Sequence, residues 1–67
     1  MSVAKVIEIN SSSKKSMEDA VQSGIRKAAE SVKNIKGAWI NEIKVVTSDD
    51  GSIIEWRTNM KINFIVD

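Results

Sequence analysis

Asp50 and Gly51 lie between two stretches of alternating character, and that pairing constrains the fold more than any other feature of the chain. Aspartate-glycine is a strong short-range signal for a tight hairpin, because glycine takes the positive φ that the turn demands. From residue 54 onward Ile54, Trp56, Met60, Ile62, Phe64 and Val66 share one parity with Thr58, while Glu55, Arg57, Asn59, Lys61 and Asn63 share the other. Period-two patterning of that length predicts a strand with one apolar and one polar face. With Asp50 and Gly51 as a two-residue loop, Val45 is expected opposite Trp56, Ile43 opposite Thr58, Asn41 opposite Met60 and Trp39 opposite Ile62. On the other face Val46 meets Glu55, Lys44 meets Arg57, Glu42 meets Asn59 and Ala38 meets Asn63. A three-residue loop instead pairs Ile43 with Arg57 and mixes the faces, so the even register is preferred.

The rest of the chain supplies one more strand and one helix. Val3 to Ile9 reads as a short β-branched strand, and Asn10 to Lys15 as a polar loop without packing content. Ser16 reads as a helix N-cap, with Glu18 and Asp19 in the first turn where the macrodipole favours acids. Asp19 stands where a full capping box carries glutamate or glutamine. The helix is predicted over Met17 to Lys33, its stripe formed by Met17, Ala20, Val21, Gly24, Ile25, Ala28 and Val32. The small residues at positions 20, 24 and 28 allow a close approach to a sheet. Gly37 is a candidate reversal or kink at the entry to the hairpin.

Strand, helix, strand, strand in that order predicts an α+β domain. A three-stranded antiparallel sheet of order one, three, two carries the helix on one face, over Trp56, Met60, Ile62 and Phe64. The other face is expected to stay open, with Glu42, Lys44, Arg57, Asn59, Lys61 and Asn63 interspersed with Ile40, Val46, Ile53 and Ile65. A half-apolar open face calls for a partner surface.

Sixty-seven residues make one domain, 1–67, with a small core. There is no cysteine for a staple and no histidine for the usual zinc or histidine-based catalytic arrangements. Assembly with further copies is the remaining common route to stability. The formal net charge of +1, with Lys14-Lys15 and Arg26-Lys27 too scattered for a footprint, argues against nucleic acid. No apolar run approaches a membrane span, and Met1-Ser2 leads into a strand rather than a signal peptide. The expectation is a soluble, cytoplasmic protein.

Three segments in this order and spacing resemble the dodecin family: KVIEI in the first strand, SSSKKSMEDAVQSGIRKAAES through the loop and helix, and MKINF in the last strand. The resemblance implies a β-α-β-β subunit, a hollow homo-oligomeric shell of twelve copies, and storage or quenching of flavin (FMN or riboflavin) without chemistry. It also implies a flavin site in which a tryptophan at the start of the second strand stacks on the ring and a glutamine of the third strand meets its edge. Counted back from MKINF, the glutamine position carries Arg57 and the tryptophan position Ala38, with Trp39 one residue late. Ala38, Trp39 and Arg57 are therefore the candidate binding residues. By the parity above Ala38 and Arg57 share the open face and Trp39 points toward the helix. A one-residue bulge near Gly37 would rotate Trp39 back.

Each feature also has a plainer explanation. Parity favours Trp39 as a core or interface aromatic over a stacking platform, and Trp56 is expected in the core. Arg57 offers donors only, for a ligand edge or phosphate, or else an ion pair to Glu55 or Glu42. Asp49 and Asp50 carry hard oxygen donors suited to calcium, yet aspartates before a glycine are also what a turn calls for. Asp67 adds carboxylates but no motif. Residues 11–13 with Lys14 and Lys15 read as a solvated loop rather than a phosphate contact. No nucleophile, base and orienting group fall at suggestive spacing, so no catalytic residue is expected. Two functions stay open: a shell that sequesters a flavin-like aromatic molecule, and a shell without flavin that acts structurally or through cations.

Overall fold

The computed structural model describes residues 3–66. Met1, Ser2 and Asp67, with the carboxylates of the last, lie outside the described residues. The elements are β1 (Val3–Ser13), α1 (Met17–Ala29), β2 (Ile35–Thr47) and β3 (Ile53–Val66). They form one antiparallel sheet of order β1-β3-β2, the predicted topology. The helix packs on β1 and β3.

Residues 10–13, expected as loop, instead extend β1. Asn10 to Ser13 pair with Asn59 to Trp56. Polar side chains alone do not decide a strand's end when a long neighbour offers backbone partners. Ser13 is buried and ties the strand to the helix start. Its hydroxyl donates to Asp19 Oδ2 at 2.7 Å and accepts from Lys15 N at 2.9 Å and more loosely from Ser16 N at 3.4 Å. Ser16 is the N-cap as expected, accepting from Asp19 N at 3.0 Å. A cap of this kind contributes about 1 kcal/mol.

The helix ends at Ala29, four residues short of the predicted Lys33. Asn34 takes a left-handed φ of 62°, and its carbonyl accepts from Ile65 N at 3.1 Å. Pairing with the far end of β3 thus captures the chain early, and β2 starts at Ile35 with Gly37 inside it.

The buried apolar core is small: Ala20, Met60 and Ile62 are fully enclosed. Gly24 faces them so closely that an added Cβ meets Met60 Cε at 2.7 Å and Ser11 Cβ at 2.8 Å. Trp56 and Phe64 lie on the same covered side but are half-buried. A 13-residue helix is about 20 Å long, whereas a 14-residue strand runs about 45 Å. The lid therefore covers less than half of the sheet. The radius of gyration, 13.9 Å, exceeds the about 11 Å of a compact chain of this length because the hairpin projects past the helix.

The hairpin has a three-residue loop rather than the expected two. Gly51 N bonds to Ser48 O at 3.0 Å and Ser48 N to Ser52 O at 2.9 Å, with Gly51 at φ 90°. A bulge at Ile54 then restores the even register, so Val45 still faces Trp56, Ile43 faces Thr58, Lys44 faces Arg57 and Glu42 faces Asn59. Past Glu42 the expected register fails. Asn41 is a second bulge, after which Ile40 faces Met60, Trp39 faces Lys61 and Ala38 faces Ile62. Ile40, expected on the open face, consequently lies on the helix side.

Candidate functional site

The bulge at Asn41 decides the composition of the open face. An extra residue on one strand of a pair exchanges the faces beyond it. Trp39 moves to the open side, opposite Lys61, where it is 58% exposed. Ala38 moves the other way, opposite Ile62 on the helix side, so Ala38 and Arg57 do not share a face. The rotation foreseen near Gly37 does occur, but Asn41 causes it. A further irregularity at Lys36 leaves Gly37 opposite Asn63. Trp39 and Arg57 now share a face, separated by four residues of β3, about 13 Å.

Between the sheet's midpoint and the hairpin tip the open face forms a shallow groove of about 600 Å³, lined among others by Asn10, Glu42, Lys44, Glu55, Arg57 and Asn59. Arg57 Nε bonds Glu55 Oε1 at 2.5 Å, one of the two ion pairs foreseen for it. With the arginine side chain 55% exposed the pair adds little stability. At the groove's end nearer Trp39 an amide row crosses all three strands. Asn41 Nδ2 donates to Asn59 Oδ1, and Asn59 Nδ2 donates to both Asn10 Oδ1 and Glu8 Oε2, each at 2.9 Å. Sequence reasoning missed Asn10 and Asn41 as members of the site and treated Asn59 only as a polar-face residue. The available signal was the spacing of Ile40, Ile43 and Val45, three and then two, which breaks strict alternation at a polar residue.

The turn acids behave as turn residues. Asp50 Oδ1 accepts from the Ser48 hydroxyl and from Ser52 N at 2.9 Å. Those bonds, the Ser48 hydroxyl first, lower the Asp50 carboxyl from 3.8 to about 2. Among the described residues no three His, Cys, Asp or Glu side chains gather in a metal-sized cluster. No described helix is long and apolar enough to cross a membrane.

The family model for dodecins matches residues 3–67. The chain belongs to the dodecin family. Solved structures agree with this dodecin in fold. A dodecin variant of Thermus thermophilus is 19% identical, with a TM-score of 0.90 over 100% of this chain and 98% of that one. A dodecin of Streptomyces davaonensis is 26% identical, with a TM-score of 0.89 over 98% and 96%. The calcium dodecin of Mycobacterium tuberculosis, described as a calcium-chelating antigen with a novel calcium-binding site, is 29% identical, with a TM-score of 0.80 over 97% and 91%. No curated protein matches the chain.

Proposed function

We propose that this dodecin is a non-catalytic cytoplasmic storage protein, a homo-oligomeric shell of twelve copies that holds a flavin (FMN or riboflavin) against Trp39. The observation that carries this is the position of Trp39, turned by the Asn41 bulge onto the open face and 58% exposed there. An indole left in water forgoes the burial of a large apolar surface, and a flat aromatic ligand recovers it by stacking. The residues present fit such a ring: a free indole face, a row of amides one step along the sheet, and Arg57 farther down the groove as a contact for a polar tail. Ala38, on the other side of the sheet, stays outside the site.

Assembly has its own support. Ile40, Ile43 and Val45 lie on the helix side of β2, yet the helix packs on β1 and β3, and these three are 42%, 63% and 40% exposed. A contiguous apolar strip of that kind favours burial against further copies.

The test is titration of riboflavin and FMN with micromolar protein, beside light scattering. Strong quenching and a mass twelve times the 7.4 kDa chain are expected, with quenching lost in Trp39→Ala at unchanged mass. Unquenched emission of both flavins removes the proposal. The calcium dodecin relative favours a second role, a shell that binds cations. Asp49 and Asp50 are its candidates, although Asp50 is already engaged by the turn. Calorimetry with calcium and magnesium decides it, no heat above dilution counting against it.

A further inference from the structure

Resting on the flavin reading above, we propose that Asn41 is the specificity-determining residue, accepting a hydrogen bond from the imide N–H of the ring stacked on Trp39. A flavin's pyrimidine ring presents N3–H between two carbonyls, so its edge needs one acceptor flanked by donors. Lys61, directly opposite Trp39, supplies donors only, and so does Arg57, about 13 Å along the strand. Asn59 is engaged within the row: its nitrogen donates to Glu8 and Asn10, and its oxygen is turned toward Asn41 and accepts from it.

Asn41 is different. It is exposed on the same face as Trp39, and its carbonyl oxygen has no partner among the described residues. A chain of bonds fixes its orientation. The Glu8 carboxylate only accepts, so Asn59 must turn its nitrogen toward Glu8 and its oxygen toward Asn41. Asn41 must then offer its nitrogen to Asn59, which leaves its oxygen outward. Its second N–H is free to serve a flanking carbonyl. Glu42 shares the bulge and also accepts, but a carboxylate there repels both carbonyls beside the N–H.

The probes are lumiflavin and 3-methyllumiflavin, which differ only at N3, a hydrogen in one and a methyl group in the other, read by fluorescence quenching on the assembled protein. The wild type is expected to bind lumiflavin roughly tenfold more tightly, the size of one hydrogen bond with its acceptor left unmade. Asn41→Ala reduces that ratio to near one while Glu42→Gln keeps it. Equal affinities in the wild type overturn the inference and leave the flavin site standing, a comparison that needs no variant to fold. A ratio that survives Asn41→Ala, or that Glu42→Gln abolishes, overturns it as well. If neither compound is quenched the flavin reading itself falls, and this inference with it.

Discussion

The two sides of β3 are finished to different degrees. Toward β1 the sheet, helix and cap form a closed unit: Met60 and Ile62 are fully enclosed, Thr58 and Ser13 are buried, and Ser13 holds the N-cap loop through three hydrogen bonds. Toward β2 the backbone pairing runs as far but is interrupted by three irregularities, and most of the β2 side chains are left exposed. Within one chain Thr58 Oγ1, bonded to Glu42 O at 3.2 Å, links the enclosed side to β2. One half is stabilised by its own packing, and the other leaves an apolar strip exposed.

If that contrast is right, Met60→Ala has the largest effect on stability. Emptying a fully buried site costs about 2–5 kcal/mol, read as a lower midpoint in denaturant unfolding. A loss under 1 kcal/mol would show that Met60 is not tightly enclosed. Gly24→Val should follow at about 1–3 kcal/mol, because Met60 Cε and Ser11 Cβ stand within 3 Å of the new carbon. Ser13→Ala strands two backbone N–H groups and a carboxylate at the helix start and should cost about 1–3 kcal/mol.

On the other side, Ile43→Lys should leave secondary structure by circular dichroism intact while lowering the assembled mass. Unchanged mass would break the comparison, since Ile43 is the most exposed of the apolar residues on β2's helix side. The smallest effect belongs to the hairpin tip. Asp50 titrates lower in the folded chain than in the unfolded one, about 2 against 3.8, so its contribution is present above pH 4 and lost as pH falls toward 2. Asp50→Asn should flatten the acid limb of the melting temperature in that window alone. A carboxyl shift titrating near 3.8 by NMR would contradict the bonds drawn at the turn.

The topology was legible because it rests on local patterns. Parity along β3, the serine cap and the spacing of small residues at 20, 24 and 28 are each readable within a few residues. The site was half legible. Trp39 and Arg57 stood out by type, but their faces depended on a bulge that parity alone assigns to the wrong place. Ile40 and Asn41 looked misplaced under strict alternation, and that mismatch was the trace of the bulge. The amide row left no trace, since asparagines 18 and 49 residues apart meet only through pairing.

Order of elements, the hairpin and the N-cap followed from the chain of letters alone, since each arises from neighbours in sequence, and the rules for connecting strands then set β1 beside β3. Three outcomes waited for tertiary structure: where the helix stops, how far the first strand runs, and which way Trp39 looks. Each is a competition between local preference and backbone bonds to β3. A long central strand with unpaired groups on both edges wins that competition, and the extra residues it leaves over become bulges.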